Sequence, residues 1–305
     1  MPPAMRLTRR ETLTLLAGAS AAAQSQPRAP RPILCIFSKH LASLHYSEIG
    51  PVAREIGFDG IDLTVRPGGH VAPEKAPVDF LRAVESVQGA GLEVPMITTA
   101  LTSPADPMAR FILAVAGRLR IPFFKPGYWR YPASEDIEAR LRQVRLEAAG
   151  LVSLGRAAGI VAGFHNHSGD YVGSPVWDTR VILSDLDPKW AGYYFDPCHA
   201  TAEGGLAGWN IAVRMALPRL KMVSVKDFYW EKSGGKWKMR MCPLGQGMVD
   251  WKSFLALLAG GRFSGPISLH LEYDTTNEVA AMAKDLEFLR KRVEAAYSGA
   301  KEDST

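Results

Sequence analysis

The sequence predicts an α/β fold, a (β/α)8 barrel of the TIM type. Short apolar strand-like segments alternate with helical segments along most of the chain, which is typical of a parallel sheet. Eight such units follow one another in about 265 residues, the size of one barrel. With 305 residues, of which 47% are hydrophobic and 22% charged, the chain is long enough to form one large core.

The predicted elements follow in order from residue 33. Ser134 is the predicted N-cap of the fourth helix and Gly159 the residue just after its end, because these residue types favour those positions. An open doubly wound sheet is the alternative fold, but no Gly-x-Gly-x-x-Gly motif follows an early strand. The strands are predicted at 33–37, 60–65, 93–98, 122–125, within 159–169, and at 192–196, 221–225 and 266–271. The helices are predicted at 46–56, 78–89, 107–118, 134–158, 176–184, 206–217, 250–258 and 277–296.

The N-terminus reads as an export signal. The run 8–13 (Thr-Arg-Arg-Glu-Thr-Leu) resembles a twin-arginine motif, an apolar stretch continues to Ala23, and small residues precede Gln24. These features are typical of a cleaved signal peptide. We therefore expect a twin-arginine signal peptide and spacer at 1–30, the barrel at 31–298 and a disordered tail at 299–305. The mature protein would be periplasmic or secreted, without stable membrane association.

The composition of the chain argues against several kinds of interaction. The net charge of +5 is modest and no cluster of Lys and Arg interleaved with aromatic residues stands out, so no nucleic-acid surface is predicted. The three cysteines are an odd number, which argues against a full disulfide framework. Beyond the N-terminal segment no apolar run is long enough for a transmembrane helix. Assembly into a homo-oligomer is compatible with the sequence and stays open.

Two histidines follow the fifth strand. His165 and His167 share one face because strand residues two apart point the same way, and Asn166 between them points to the other. Two imidazoles at a strand end suit a metal site or an acid/base pair.

Strands six to eight also end in polar or ionisable residues. Because the carboxyl ends of the strands meet at one mouth of a barrel, we expect these side chains to converge on one site. They are Asp196 with His199 one turn on, Ser224 with Lys226, and His270 with Glu272.

The expected chemistry is metal-assisted proton transfer. Imidazole and carboxylate suit Mn, Fe, Co, Ni or Zn, and such a metal polarises a hydroxyl or carbonyl oxygen and acidifies the neighbouring C–H group. The candidates to move the proton are His167 and His199, and Lys226 is positioned to stabilise an enolate. The candidate metal ligands are His165, Asp196, His270 and Glu272.

Two loops are predicted to bind substrate. Arg66 and His70 follow the second strand in a glycine-rich turn, and Lys125 and Tyr128 follow the fourth in an aromatic-rich segment. Such side chains suit a sugar hydroxyl, carboxylate or phosphate. A hairpin at 230–237 with two central glycines is expected to form a mobile lid.

These stretches together resemble the xylose isomerase-like TIM barrel superfamily, the sugar phosphate isomerase/epimerase group, over residues 33–292. The motifs that carry the resemblance are 57–63 (Gly-Phe-Asp-Gly-Ile-Asp-Leu), 165–167 (His-Asn-His), 196–199 (Asp-Pro-Cys-His), 225–227 (Val-Lys-Asp), 243–247 (Pro-Leu-Gly-Gln-Gly) and 265–272 (Gly-Pro-Ile-Ser-Leu-His-Leu-Glu).

The resemblance implies one divalent metal, held by Glu, Asp, His and Glu from strands five to eight. Ser224 occupies the place of the usual His, and Ser is a poor metal ligand, so the usual four-ligand site is not intact. The two-Glu proton-transfer pair of the epimerases is not evident either. The other matching positions are Asp196 for the Asp, His165 for the first Glu, His270 or Glu272 for the last Glu, and His199 for a substrate-contacting His.

The predicted function is therefore that of an exported isomerase, epimerase or lyase acting on a sugar, inositol or keto-glycoside, with a small carbohydrate as its partner. A metal-free carbohydrate-binding barrel without catalysis is the alternative. DNA-repair endonucleases share this superfamily, but they need a fuller set of metal ligands, and export and the lack of a basic groove disfavour them.

Overall fold

The computed structural model describes residues 31–298. The predicted signal segment at 1–30 and the predicted tail at 299–305 lie outside them. The strands of the described part are β1 (Leu34–Phe37), β2 (Gly60–Val65), β3 (Glu93–Thr99), β4 (Phe123–Lys125), β5 (Val161–His165), β6 (Ala191–Phe195), β7 (Leu220–Val225), β8 (Asp227–Ser233), β9 (Lys236–Cys242) and β10 (Ile267–Leu269).

Eight of these strands close into a parallel barrel, in the order β1-β10-β7-β6-β5-β4-β3-β2. The predicted (β/α)8 barrel is confirmed. The barrel strands are short apolar runs, such as the wholly buried β1 and β2, because helices cover the outside of a parallel sheet and side chains fill its inside. β8 and β9 form a separate antiparallel hairpin, which contains the predicted hairpin segment.

The helices pack around the barrel through amphipathic faces. In α3, Ala109, Ile112, Leu113 and Ala116 are buried, the spacing expected of one helix face. None of the helices within residues 31–298 is long and apolar enough to cross a membrane. The α-helices of this part are α1 (Tyr46–Ile56), α2 (Ala76–Gly89), α3 (Ala109–Arg118), α4 (Ile137–Ala158), α5 (Val176–Leu183), α6 (Pro197–Ala216), α7 (Trp251–Gly260) and α8 (Glu278–Ser298).

Two predicted helix starts are wrong, and capping explains both. The N-cap of α4 is Asp136 instead of Ser134, because the Asp136 side chain accepts from the backbone of Ala139 at 2.8 Å. Helix α6 begins directly after β6 rather than at residue 206. There the Asp196 side chain caps the helix by accepting from His199 N at 3.1 Å, and Gly205 interrupts the helix with a non-helical φ of 60°. The predicted end of α4 is confirmed, since Ala158 is its last residue and Gly159 just after it has φ 78°.

Asp227 anchors the hairpin to the barrel. Its carboxylate accepts from the backbone N–H groups of Gly245 at 2.9 Å and Gly247 at 3.2 Å, and from the Trp251 indole at 2.8 Å. A Cβ on Gly247 would collide with this carboxylate and with the Phe228 carbonyl, so only glycine allows so close an approach. The motif at 243–251 therefore holds the loop before α7 against the end of β7.

The barrel interior holds one small apolar cluster and a larger polar layer. Met96, Tyr194 and Met222 pack together inside the barrel. Buried polar residues such as Asp62 and Ser224 share this interior. The interior is thus filled by side chains, and its polar layer adjoins the C-terminal strand ends.

Candidate active site at the C-terminal end of the barrel

A cavity of about 90 Å³ opens among the C-terminal strand ends. It brings together most of the predicted site residues. Phe37, Lys39, Thr98 and Tyr194, which sequence reasoning did not select, also line it. The predicted site residues around it are Arg66, Lys125, Tyr128, His165, His167, Lys226, His270 and Glu272.

A second cavity, of about 710 Å³, lies at the opposite end of the barrel. It is lined by the starts of strands, including Glu93, Phe123 and Leu220. In this fold that end contributes to stability, whereas chemistry takes place at the carboxyl ends of the strands. We therefore place the candidate active site in the smaller cavity.

Asp196 is the buried anionic centre beside the smaller cavity. Its Oδ2 accepts from Ser224 Oγ at 2.8 Å and lies 3.6 Å from Lys226 Nζ. Burial alone would raise the pKa of Asp196, but the neighbouring His199 and Lys226 side chains and the hydrogen-bonded His165 hold it well below its usual range. Of these three neighbours Lys226 is the one that stays positively charged, because burial lowers the pKa of His165 and of His199. Asp196 is therefore ionised.

A continuous hydrogen-bonded chain joins Asp196 to the cavity. From Asp196 it runs to Ser224, then to His165 Nε2 at 2.9 Å from Ser224 Oγ, and from His165 Nδ1 to the Tyr128 hydroxyl at 2.6 Å. His165 is neutral, since burial lowers its pKa to about 3. An ionised carboxylate only accepts, so Ser224 must donate to Asp196 and accept from His165 Nε2–H.

The direction of this chain fixes the roles of His165 and Tyr128. With its proton on Nε2, the neutral His165 ring has a bare Nδ1, which accepts from the Tyr128 hydroxyl. The Tyr128 oxygen keeps its lone pairs for a ligand in the cavity. Burial also raises the pKa of Tyr128 well above its usual value, so the resting side chain is a neutral phenol.

Lys226 is held between two carboxylates. Its Nζ lies 3.0 Å from Glu272 Oε2 in addition to its contact with Asp196. Burial would lower the pKa of Lys226, but Asp196 and Glu272 raise it. The pKa of Glu272 is in turn lowered to about 2; burial opposes this shift, which Lys226 and Lys39 cause. The cavity thus contains a fixed ammonium group.

A second polar chain crosses the barrel interior. Asp62 accepts from Thr98 at 2.8 Å and from Ser268 at 2.9 Å, and it lies 3.3 Å from the Tyr194 hydroxyl, which also contacts His270 Nε2 at 3.2 Å. Burial raises the pKa of Asp62 to about 6. Sequence reasoning missed this chain, although the spacing of Tyr194 two residues before Asp196 puts both on one strand face.

His167 and His199 lie on one side of the site. Their ring centres lie 4.0 Å apart with the planes tilted by 38°. Both rings bind Ser168, His167 through the backbone oxygen at 2.9 Å and His199 through the hydroxyl at 3.0 Å. Burial lowers the pKa of both imidazoles. His167 lines the cavity, whereas His199 does not, and its buried Nε2 has no hydrogen-bond partner among the described residues.

The two substrate-binding residues predicted in the loop after β2 lie in different places. Arg66 lines the cavity with its guanidinium 5.5 Å from the Phe37 ring centre. His70 turns away from the cavity. Its ring nitrogens lie 3.1 Å from Leu41 O and 3.3 Å from Thr64 Oγ1. This arrangement gives His70 a place in loop packing.

The predicted metal ligands do not form a metal site in this arrangement. Within residues 31–298, no group of three or more His, Cys, Asp or Glu is positioned to hold a metal ion. Both ring nitrogens of His165 and both carboxylate oxygens of Asp196 are hydrogen-bonded within the protein. The ammonium of Lys226 also lies between Asp196 and Glu272, where it would repel a cation. The donor set therefore does not fit the divalent metal that the resemblance implies.

Comparisons with known proteins agree with the barrel. Residues 51–292 match the family described as xylose isomerase-like TIM barrel. No curated protein matches the sequence. The fold is shared with solved structures of other proteins, among them three with TM-scores between 0.67 and 0.69. They are an L-ribulose 3-epimerase (15% identity, 90% of this chain and 98% of that chain covered, TM-score 0.69), a xylose isomerase-like protein from Mycobacterium smegmatis in complex with magnesium (16%, 88% and 98%, 0.67) and a 3-keto-D-glucoside 4-epimerase from E. coli (14%, 86% and 100%, 0.68).

At identities this low, the likeness to the solved structures concerns the fold, and a fold alone does not settle function. The family model, in contrast, matches the sequence itself over most of the barrel, from α1 to α8, and therefore shows the family. The chain belongs to the xylose isomerase-like TIM barrel family.

Proposed function

We propose that this protein is an exported sugar-modifying enzyme that moves a proton at a carbon next to a carbonyl, by isomerisation, epimerisation or elimination. The substrate is a sugar, an inositol or a keto-glycoside. Barrels of similar fold that act on L-ribulose and on a 3-keto-glucoside support a carbohydrate substrate. In this proposal the chemistry relies on side chains of the protein, because His165 and Asp196, two of the four predicted ligands, are committed to internal hydrogen bonds and the Lys226 ammonium lies between Asp196 and Glu272.

The hydrogen-bonded chain from Tyr128 to Asp196 is the observation that carries the proposal. When Tyr128 accepts a proton from the substrate, it passes its own proton to Nδ1 of His165. Burial disfavours the resulting imidazolium, and the carboxylate of Asp196, whose Oδ2 lies 3.4 Å from Nε2, opposes that effect. A base of this kind is a neutral phenol at rest and becomes effective only when the proton moves along the chain.

Lys226 supplies the charge that the reaction needs. Proton loss next to a carbonyl places negative charge on the carbonyl oxygen. An ammonium group has three N–H donors, and Glu272 engages one of them in a 3.0 Å hydrogen bond. In the proposal, a remaining donor faces the substrate oxygen and stabilises the enolate in a site that excludes water.

The test is proton exchange with solvent. The purified protein is incubated in D2O with EDTA and a panel of ketoses, aldoses, inosose and 3-keto-glucosides, and NMR follows deuterium incorporation next to the carbonyl. We expect incorporation with at least one compound, insensitive to EDTA. The Tyr128→Phe variant should lose about 10²–10⁴-fold in rate, the usual contribution of a positioned acid/base group.

Tyr171→Phe is the matched control. Tyr171 packs against Tyr128, but its hydroxyl binds the exposed Arg130, so its loss should leave exchange nearly unchanged. Exchange that disappears with EDTA and returns with Mn or Co would contradict the metal-free chemistry. Binding of sugars without any exchange would instead favour the carbohydrate-binding barrel.

A further inference from the structure

Lys125 is the second lysine of the cavity and differs from Lys226 in its surroundings. It ends β4, is 3% exposed and lines the same cavity as His165 and Tyr128. Its Nζ donates to Pro126 O at 2.9 Å and lies 3.3 Å from the Tyr128 ring centre. The ion pairs of this cavity are made by Lys226 and Lys39, whereas the contacts of Lys125 Nζ among the described residues are Pro126 O and the Tyr128 ring.

The hydrogen-bond acceptors around Nζ favour an amine over an ammonium. A buried ammonium needs acceptors for three N–H groups, and Pro126 O is the one acceptor that Lys125 has among the described residues; the Tyr128 face opposes this by attracting the charged form. Arg66 and Lys226 add positive charge nearby. Burial, together with these two cations, lowers the pKa of Lys125 well below its usual value, against an opposing effect of Asp62. A lysine in such a setting is a nucleophile.

We propose that the Lys125 side chain forms a covalent imine with the carbonyl carbon of the substrate. This inference deepens the proposed function and rests on it for the choice of a carbonyl compound. It assigns Lys125 a covalent role in place of the substrate contact that the sequence predicts. The imine would activate the neighbouring C–H group, the task that a divalent metal has in the mechanism implied by the resemblance. The residues of this site do not fit such a metal.

The step balances without a further reactant. The lone pair of Nζ adds to the carbonyl carbon while the carbon–oxygen π bond opens, which gives a carbinolamine. The carbonyl oxygen then leaves as water with the two amine protons, and a carbon–nitrogen double bond remains. Once protonated, this imine withdraws electrons from the neighbouring C–H group as a metal-bound carbonyl would. Removal of that proton gives a neutral enamine, and return of a proton to the carbon restores the protonated imine. Water then adds to the imine carbon, and the carbon–nitrogen bond breaks to release the carbonyl product and the amine.

The position of Tyr128 fits this chemistry. Its ring lies directly beneath Nζ, and its hydroxyl begins the chain to Asp196. A carbon atom attached to Nζ is therefore held beside the base that the proposed function requires. Because the enamine has no enolate oxygen, the N–H donor of Lys226 that the proposed function directs to the substrate would bind another oxygen of the sugar in this route.

Borohydride trapping tests the imine without any need for turnover. The protein is incubated with dihydroxyacetone and sodium borohydride at neutral pH, and peptide mass spectrometry locates the reduced adduct. We expect one adduct per chain, on Lys125, and its loss in Lys125→Met, a variant of similar length and shape. Lys39 is the internal control, because it lines the same cavity but its side chain is 51% exposed and paired with Glu272. Its labelling should be minor and unchanged by Lys125→Met.

Two outcomes separate this inference from the proposed function. Proton exchange without an adduct on Lys125, or labelling spread over exposed lysines, would overturn the imine and leave the proposed function standing. An adduct on Lys125 without exchange for any sugar would support the imine and contradict the proposed proton transfer. Because the site is mapped in the unmodified protein, the result does not depend on the folding of Lys125→Met.

Discussion

Ser224 donates a hydrogen bond to Asp196 Oδ2 at 2.8 Å, and this bond sets the direction of every proton between Asp196 and the cavity. A serine hydroxyl that donates to a carboxylate is free to accept from His165. The neutral Ser224 hydroxyl therefore links Asp196 to His165 and adds no charge of its own. At the position where the family resemblance places a metal-binding His, the chain thus has a hydrogen-bonded link between His165 and Asp196.

Replacement of Ser224 by alanine should weaken the chain. His165 would lose its acceptor at 2.9 Å and keep only the longer contact of 3.4 Å to Asp196. We expect the rate of proton exchange to fall by about 10–100-fold with little change in KM, and the protein to lose about 1–3 kcal/mol of stability from the unsatisfied groups.

Ser268→Ala is the control for that substitution. Ser268 is also a buried serine bonded to a carboxylate, but its partner is Asp62. Urea denaturation and exchange kinetics on both variants separate stability from proton transfer. A rate loss of equal size in both variants would show that Ser224 acts through packing alone.

Elemental analysis addresses the metal directly. Because the ring nitrogens of His165 and the oxygens of Asp196 are engaged and Lys226 fills the space between carboxylates, we expect far less than one equivalent of metal. This should hold in the wild type and in Asp196→Ala, even after incubation with excess Mn or Co. One equivalent of metal that disappears in Asp196→Ala would contradict this reading of the site.

Removal of the buried ammonium should destabilise the protein strongly. In Lys226→Met, the buried carboxylate of Asp196 and the partly buried carboxylate of Glu272 would lose their shared counter-charge. Breaking a buried pair in this way costs about 3–5 kcal/mol. Lys39→Met removes the exposed partner of Glu272 at 3.7 Å and should cost at most about 1 kcal/mol. Urea denaturation measures both, and equal losses would mean that Lys226 is not the main counter-charge.

Sequence reasoning reached the barrel and most of the cavity because both follow from periodicity. Apolar runs that end in polar residues two apart place side chains on one face of a strand, and a barrel gathers such ends at one mouth. This pattern alone predicts His165, Lys226 and Glu272 as site residues. The start of α6 was missed because a single side chain, Asp196, caps that helix from the end of β6.

The partners of each site residue could not be predicted in the same way. Whether Lys226 contacts Asp196 or Glu272, and whether His165 faces Ser224, depends on side-chain rotamers and on the stagger between neighbouring strands. Asp62 was overlooked because its β2 strand, wholly buried, reads as an ordinary core strand. His70 was assigned to substrate binding from its loop, but its ring binds Leu41 and Thr64 instead.

Export is open to a direct experiment on the N-terminal segment. If the run 8–13 directs twin-arginine export, the full-length chain should be processed near Gln24 and found outside the cytoplasm. Replacement of both Arg9 and Arg10 by lysine preserves the charge and should leave the precursor inside the cell. Cell fractionation with mass determination of the product checks this. A product of the lysine variant that is exported equally well would contradict the twin-arginine assignment.

Asp62 should make stability depend on pH in a defined window. Its pKa is raised from 3.8 to about 6 by burial, so the folded protein favours the protonated acid. The stabilisation is fully present below the ordinary value of 3.8 and is lost as the pH rises through about 6. In Asp62→Asn the residue stays neutral, and the hydroxyls of Ser268 and Tyr194 can turn to accept from the amide.

The quantity to follow is the free energy of unfolding of Asp62→Asn minus that of the wild type. This difference should rise by up to about 3 kcal/mol between pH 4 and pH 7. His165, whose pKa is lowered to about 3, makes stability rise across the same range, but it contributes to both proteins and cancels in the difference. Asp285, with a pKa raised to about 6, cancels likewise. A difference that stays constant over this range would mean that Asp62 is already ionised at pH 4, held so by its three hydroxyl donors.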